Sequence, residues 1–200
     1  TAQQRIQRLV GAVSAPEGAP AVDVLRTAYR EQLLEIAALD LTSGDPLVSL
    51  PETAAALADL AQAALEAALV IARDEVGADA GRTRLAVIAM GKTGGRELNY
   101  ISDVDVIFVA EPADGADEAR ALSAATSLAM GLMRACNAVT SEGTIWEVDA
   151  ALRPEGKQGA LVRTIASHVD YYERWAKTWE FQALLKARPV AGDTGLGREY

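Results

Sequence analysis

The sequence contains a single cysteine, Cys136, which excludes a disulfide bond within the chain. Such sparse cysteine is typical of reducing compartments, so we predict a cytoplasmic protein. We expect Cys136 itself to be a small buried hydrophobe on a helix. No stretch combines a basic start, an apolar centre and a small-residue cleavage site, and no uncharged run approaches the ~20 residues that span a bilayer. These absences predict no membrane insertion.

The sequence also has no excess of positive charge. It contains 19 Lys and Arg residues and 28 Asp and Glu residues, so the net charge is -9. A sequence-independent grip on nucleic acid or on an anionic membrane needs clustered cations. We therefore expect neither partner, and any nucleotide must be held at a local site. The chain begins at Thr1 without a methionine, and it ends at Tyr200 soon after a glycine-rich turn. This indicates a fragment of a longer protein.

Helical periodicity dominates residues 1–80. Apolar residues recur every 3.6 positions over 22–41, including Leu39, and again over 57–71 after Pro51, which we place near the first turn. We predict that residues 11–20 form a loop. The first eighty residues should therefore form a helical module.

Strand patterns begin after residue 80. The apolar run 84–90 is typical of a strand buried on both faces, and 104–109 is a second run rich in β-branched residues. Helical periodicity returns over 116–139, a third strand is predicted over 144–153, and 167–188 is predicted to be one long helix capped by Ser167. The order β, β, α, β, α predicts an α+β domain over residues 81–200 with a small mixed sheet.

Two acids stand at the start of the second predicted strand. Asp103 and Asp105 are two positions apart, so both carboxylates should project from one face. Two unit charges ~4 Å apart repel by about 4 kcal/mol at an effective dielectric near 20. A divalent cation removes that repulsion, and Mg²⁺ suits carboxylates combined with substrate phosphates. The alternative is that Asp103 caps a turn while Asp105 faces solvent at a sheet edge.

A glycine pair precedes these acids. Gly94 and Gly95 follow a buried strand, and residues 96–98 can form a helical turn whose free amides would favour an anion. Lys92 and Arg96 add positive charge nearby. The combination predicts a phosphate site beside a metal site, although most glycine pairs only make turns.

A third acid, Asp149, lies inside the third predicted strand, where an unpaired charge is expensive. If that strand adjoins the other two, Asp149 completes a three-carboxylate site. Arg153 and Lys157 supply cations that could hold phosphates. The alternative is that Asp149 simply pairs with Arg153.

The lone histidine and the tryptophans suggest less chemistry. We expect His168, at a helix start, to be exposed, and no second histidine is available for a metal pair. Trp146, Trp175 and Trp179 are predicted to pack rather than to stack on bases. Trp175 and Trp179 should share one helix face.

Three stretches of the sequence resemble those of a known family. Residues 85–108 contain Gly-Lys-Thr-Gly-Gly-Arg-Glu-Leu-Asn-Tyr-Ile-Ser-Asp-Val-Asp. Residues 148–162 contain Leu-Arg-Pro-Glu-Gly-Lys, and residues 178–193 contain Lys-Ala-Arg-Pro-Val-Ala-Gly-Asp. Together they resemble the bifunctional glutamine synthetase adenylyltransferase/adenylyl-removing enzymes. The resemblance implies a polymerase-β-like nucleotidyltransferase fold over 81–200, within a longer protein that has two catalytic domains. It also implies Mg²⁺ on the three acids. The residues that we predict to bind the nucleotide and its phosphates are Gly94, Gly95, Ser102, Lys92, Arg153 and Lys157.

The resemblance also bears on which half of such an enzyme this is. The adenylyl-adding half tends to contain Glu-Leu-Gly-Tyr-Gly-Ser-Asp, whereas this chain has Asn99 and Ile101 in place of the two glycines. It is therefore similar to the adenylyl-removing half, of actinobacterial type by its Arg-Pro-Glu-Gly-Lys motif. This implies Mg²⁺-dependent phosphorolysis of AMP from a tyrosine of glutamine synthetase, with orthophosphate consumed and ADP released.

Further partners follow from the resemblance. ATP is the nucleotide of the opposite, adenylyl-adding reaction, and a PII-type regulator is expected to act through the full-length protein. Two alternatives remain at this point: the chain performs the adenylyl-adding reaction, or it is a non-catalytic regulatory or docking module.

Overall fold

The computed structural model describes residues 1–16 and 18–200. Glu17, within the loop predicted over 11–20, lies outside the described residues. Across the described ranges the chain forms eight α-helices and five strands, in the following order: α1 (Ala2–Ser14), α2 (Ala21–Leu41), α3 (Pro46–Val76), β1 (Thr83–Ala89), α4 (Gly91–Gly94), β2 (Val104–Pro112), α5 (Glu118–Asn137), β3 (Val148–Asp149), β4 (Val162–Arg163), α6 (Ile165–Arg174), α7 (Thr178–Leu184), β5 (Arg188–Gly192) and α8 (Thr194–Glu199).

The first three helices confirm the helical prediction for the early part of the chain. Helix α1 continues into the predicted loop as far as Ser14, and α3 begins at Pro46, before the predicted start near Pro51. Its alanine-rich centre is buried. The stripe predicted in α2 is wrong at Leu39, which is 73% exposed.

One apolar segment is long enough to cross a membrane by length and composition. This segment is Pro46–Arg82, and 67% of its most apolar window is buried inside the fold. The helix is buried because α1, α2 and α5 pack around it. It therefore serves as the core helix of this chain.

A mixed sheet positions the acidic residues. β1 pairs antiparallel with β2 from Thr83 opposite Pro112 to Ala89 opposite Val106, and β5 pairs antiparallel with the other edge of β1. β3 and β4 each run parallel to β2. The α+β class and the small mixed sheet are confirmed.

The two faces of the sheet have different coverings. On one face Val87 and Phe108 join the large core that includes Leu65 of α3 and Leu128 of α5. Because side chains alternate along a strand, the intervening residues of β1 and β2 form a second, smaller core with Leu196 of α8. The helical residues and the sheet thus share one buried cluster, and a domain boundary near residue 80 stays a prediction.

Two predicted elements were wrong. The strand predicted over 144–153 is reduced to Val148–Asp149, because the residues that follow turn back on themselves. The helix predicted over 167–188 is two helices, α6 and α7, with Thr164 rather than Ser167 as the N-cap. Glu180 accepts a hydrogen bond from the Lys177 amide at 3.0 Å, which begins α7 as a separate helix.

A buried arginine ties helix α2 to the segment after α5. Arg26 is fully buried, and burial lowers the pKa of its guanidinium. Nε donates to the Gly143 carbonyl at 2.8 Å and Nη1 to the Val22 carbonyl at 2.6 Å, while Nη2 donates to the carbonyl of Ala138. The Gly143 carbonyl also accepts from the Thr140 amide at 3.0 Å. The buried guanidinium therefore has its donors paired, and it joins α2 to residues 138–143.

We expect Arg26→Leu to lower the free energy of unfolding by about 3 kcal/mol, because it removes the charge-assisted hydrogen bonds that join α2 to residues 138–143. Arg30→Leu, one turn later, is the matched control. Arg30 reaches Glu142 only at 3.8 Å on the surface, so its loss should change stability by less than about 0.5 kcal/mol. Urea denaturation followed by circular dichroism measures both, and equal effects would contradict the assigned role.

Candidate functional site

The pairing of β2 with β3 brings two of the predicted acids together. Asp105 and Asp149 are direct partners in the parallel ladder, and Val104 pairs with Val148 beside them. Asp103 precedes β2 by one residue and is exposed, whereas Asp105 and Asp149 are half-buried. The three carboxyl groups therefore lie at one end of the sheet.

The pKa of Asp105 reflects the close approach of the acidic side chains at this end of the sheet. Burial raises the pKa of its carboxyl group, and the charges of Asp103 and Asp149 raise it further. The ammonium group of Lys92 acts in the opposite direction. The carboxylates thus repel one another, and Lys92 compensates only part of this repulsion at Asp105. A bound divalent cation relieves such repulsion.

Gly91 keeps space open at Asp105. Its φ of +51° lies in the left-handed region, and a Cβ at this position would lie 2.6 Å from Asp105 Oδ2. Glycine is therefore required here for both backbone conformation and room beside the carboxylate. Our sequence reasoning missed Gly91, although a glycine directly after a buried strand is a signal for such a close approach.

Polar contacts organise the loop before the acids. Lys92 Nζ donates to Asn99 Oδ1 at 3.1 Å and to Ser102 Oγ at 3.3 Å, and Ser102 Oγ lies 3.4 Å from Asp103 Oδ1. Tyr100 anchors the same loop to α2 by donating to Asp40 at 2.8 Å. Burial and this hydrogen bond raise the pKa of Tyr100 to about 12.

The glycine pair has a different structural role from the one predicted. The helical turn is α4, which precedes the predicted turn at 96–98. The Gly94 amide donates to the Met90 carbonyl at 2.8 Å and the Gly95 amide to the Gly91 carbonyl at 3.1 Å. Both amides are thus engaged inside the turn. A Cβ on Gly94 would lie 2.0 Å from the carbonyl oxygen of Lys186, so this glycine permits close backbone packing.

Arg188, which the sequence analysis did not select, fixes this turn from β5. Its guanidinium donates to the carbonyl oxygens of Gly94 at 3.1 Å and Thr93 at 3.0 Å, and to Gln62 Oε1 on α3 at 2.7 Å. Burial lowers its pKa. Arg188 therefore joins α3, α4 and β5 next to the acids.

Arg96 is turned away from the acids. It makes a bidentate pair with Asp59 of α3, at 2.5 and 3.1 Å. Its positive charge, which we expected to add to an anion site, is thus compensated by Asp59 on the helical side.

The two later cations differ in role. Arg153 donates to the carbonyl oxygens of Ala150, Gly159 and Lys157 at 2.8 to 3.1 Å, and so closes the turn after β3. Asp149 Oδ1 instead accepts from the Ala151 amide at 2.7 Å, and across the described residues no ion pair joins Asp149 to Arg153. The Lys157 side chain is exposed.

The donor set fits a hard divalent cation. Carboxylate oxygens are the ligands that Mg²⁺ prefers, and the open space at Gly91 leaves one Asp105 oxygen accessible. Within residues 1–16 and 18–200, no group of three or more His, Cys, Asp or Glu side chains is arranged so that it could hold a metal ion. The acids are neighbours, and binding of one ion by all three stays a prediction.

Two expectations about aromatic residues were wrong. His168 is buried, with 2% exposure, because α6 packs it against the sheet. Trp175 and Trp179 are 73% and 52% exposed and belong to the end of α6 and to α7, so they share no helix face. Cys136 is buried on α5, as predicted.

The glycine contacts generate a paired test. Gly94→Ala should lower the free energy of unfolding by about 3 kcal/mol, because the added methyl group meets backbone atoms of Lys186 and Ala89. Gly95→Ala should change it by less than about 1 kcal/mol, since φ is -74° and the nearest atom, 3.0 Å away, is on the flexible Lys186 side chain. Thermal and urea denaturation give the comparison, and equal tolerance of both changes would refute the packing role.

Sequence comparison shows to which family the chain belongs. The family model described as glutamate-ammonia ligase adenylyltransferase matches residues 1–200. Proteins named bifunctional glutamine synthetase adenylyltransferase/adenylyl-removing enzyme are similar, from Streptomyces avermitilis (66% identity over 176 residues, 88% of this chain and 17% of the relative) and Leifsonia xyli (48% over 217 residues, 100% and 22%). The chain spans about a fifth of the length of these relatives. The chain belongs to the glutamate-ammonia ligase adenylyltransferase family.

Proposed function

We propose that this chain is the adenylyl-removing catalytic domain of such an enzyme, with the polymerase-β-like nucleotidyltransferase fold. In this reaction orthophosphate attacks the phosphorus of AMP on a tyrosine of glutamine synthetase. A bond forms between phosphorus and an orthophosphate oxygen, and the bond from phosphorus to the tyrosine oxygen breaks. The products are ADP and the unmodified tyrosine.

The observation that carries this proposal is the pairing of Asp105 with Asp149 in the ladder, with Asp103 two residues before Asp105. A binding module has no need to hold three carboxylates at one sheet end, where they raise the pKa of Asp105. Their crowding supports a catalytic role over a purely regulatory one.

Asp103 and Asp105 would hold Mg²⁺, with Asp149 as a third ligand or as the group that orients the site. When bound there, Mg²⁺ would offset the repulsion between the two phosphate groups and the charge that develops on the transferring oxygens. Carboxylates alone would repel both reactants, so Mg²⁺ is an essential part of the proposal.

The side chains of the protein contribute to the reaction mainly by positioning the reactants. Lys92 places a positive charge beside Ser102 and Asp103, where it can attract an incoming phosphate. Tyrosine leaves readily, because its ordinary pKa is ~10, and orthophosphate needs no strong base. Asp149 is therefore assigned to orientation rather than to proton removal.

The choice of half is supported by Asn99 and Ile101. Asn99 receives a hydrogen bond from Lys92 and donates to the Ile101 carbonyl at 3.1 Å, so it connects the cation to the acid loop. The glycine found at this position in the adenylyl-adding pattern cannot make these contacts.

Asp103→Asn and Asp105→Asn should each lower Mg²⁺-dependent ADP release from adenylylated glutamine synthetase by at least about 100-fold. The free energy of unfolding should stay the same or rise, because one of the crowded charges is removed. Glu147→Gln is a matched control, since Glu147 is an exposed acid next to β3 and lies outside the proposed site. Normal activity in both aspartate variants would rule out the site.

The direction of the reaction is tested by the co-substrate. The domain should release ADP from adenylylated glutamine synthetase when orthophosphate is supplied, and the amount of ADP should rise with the orthophosphate concentration. Supplying ATP with unmodified glutamine synthetase should give no pyrophosphate from this domain when the second catalytic domain is inactivated. Pyrophosphate without any orthophosphate-dependent ADP would assign the chain to the adenylyl-adding reaction instead.

A further inference from the structure

A cavity of about 790 Å³ lies beside the second face of the sheet, between β1, β5 and helices α6 to α8. Its walls are mainly apolar and aromatic, and they include Ile88, His168, Tyr172, Phe181, Ala187 and Tyr200. This volume lies within the range of sites that hold small molecules. The proposed reaction leaves the cavity without a role.

His168, which lines this cavity, has one ring nitrogen without a hydrogen-bond partner among the described residues. Its Nδ1 lies 3.0 Å from the Thr164 carbonyl oxygen, which can only accept, so Nδ1 carries the proton. Nε2 is therefore an acceptor, and it has no hydrogen-bond partner in the part of the chain that the structure describes, although it is buried. Burial lowers the pKa of His168, which favours the neutral form. A ligand that donates an N–H would satisfy Nε2.

Aromatic rings surround the histidine. The Tyr200 ring meets it edge-on at 5.0 Å, the Tyr172 ring is nearly parallel at 6.4 Å, and Phe181 lies 5.7 Å from Tyr172. Rings in these orientations suit a planar ligand, which can contact both ring faces and ring edges. The walls and Nε2 together favour a planar heteroaromatic ring that carries an N–H donor.

The cavity lies on the same face of the sheet as Asp105. Asp105 and Ile107 share that face by alternation along β2, and Ile88 of the cavity wall is the direct partner of Ile107. The Met90 amide donates to the Asp105 carbonyl at 2.9 Å, which places Met90 opposite Asp105. Ile88 is two residues before Met90, about 7 Å along the strand. This separation is short enough for one nucleotide to span.

We propose that this cavity is the base subsite for the nucleotide handled at the acids, and that it holds the adenine ring with its exocyclic N–H donating to His168 Nε2. The proposal rests on the proposed function, because that reaction supplies an adenylyl group. Phe181 and Tyr172 would then contact the ring, while the sugar and phosphate extend along β1.

The subsite can be tested with adenosine, which carries no phosphate and needs neither the acids nor a metal ion. Isothermal titration of the full-length protein should show adenosine binding. Purine riboside, which lacks the exocyclic amine, should bind about tenfold more weakly, because it cannot donate to Nε2. His168→Phe keeps a ring but removes the acceptor. It should therefore weaken the binding of adenosine about tenfold and leave the binding of purine riboside nearly unchanged.

A second variant allows the subsite to be tested even if His168→Phe does not fold. Phe181 is 47% exposed, so Phe181→Leu should fold normally and should weaken both ligands by a similar factor through lost ring contact. Circular dichroism and thermal denaturation check the fold of each protein. Absence of adenosine binding to the wild-type protein, or equal discrimination between the two ligands in His168→Phe, would overturn the subsite.

Failure of the subsite and failure of the proposed reaction are distinguishable. Asp105→Asn should retain adenosine binding while it loses ADP release. Adenosine binding without orthophosphate-dependent ADP release in the wild type would support the subsite and reject the reaction. If His168→Phe releases ADP at the normal rate, with an unchanged KM for adenylylated glutamine synthetase, the subsite is rejected and the proposed reaction is not.

Discussion

Strand β2 is held on both edges, and this constraint fixes the position of the acids. β1 pairs with it along one edge, and the short strands β3 and β4 pair along the other. A shift of one residue in the register would turn Asp105 toward the helices and Phe108 toward the second face. The burial of Val104, Val106 and Phe108 against the large core therefore determines where the carboxylates lie. Core packing and site geometry depend on the same register.

The acids remain close despite their repulsion because their surroundings are rigid. Arg188 holds the α4 turn through two carbonyls and Gln62, and Gly91 gives the Asp105 carboxylate room. Repulsion is only partly compensated by Lys92. The folded chain thus maintains a negative site whose electrostatic energy a divalent cation would lower. We infer that this stored repulsion is what makes the proposed reaction depend on Mg²⁺.

Much of this arrangement could be predicted from the sequence, and the failures have physical causes. The runs 84–90 and 104–109 predicted β1 and β2 because strands buried on both faces are continuously apolar. The long helix predicted over 167–188 failed because the periodicity continues across a break set by the contact of Glu180 with Lys177. His168 and Gly94 were misjudged because their roles depend on chain segments distant in sequence, the sheet and the Lys186 carbonyl. Periodicity finds elements, whereas tertiary packing decides what single residues do.

A crystal structure with Mn²⁺ and AMP would test the central claim most directly, because Mn²⁺ replaces Mg²⁺ on carboxylates and is located by its anomalous scattering. We predict an anomalous peak within coordination distance of carboxylate oxygens of Asp103 and Asp105, with the AMP phosphate beside it. A fully occupied nucleotide with no metal at these residues, or a metal held elsewhere while the acids point to solvent, would contradict it.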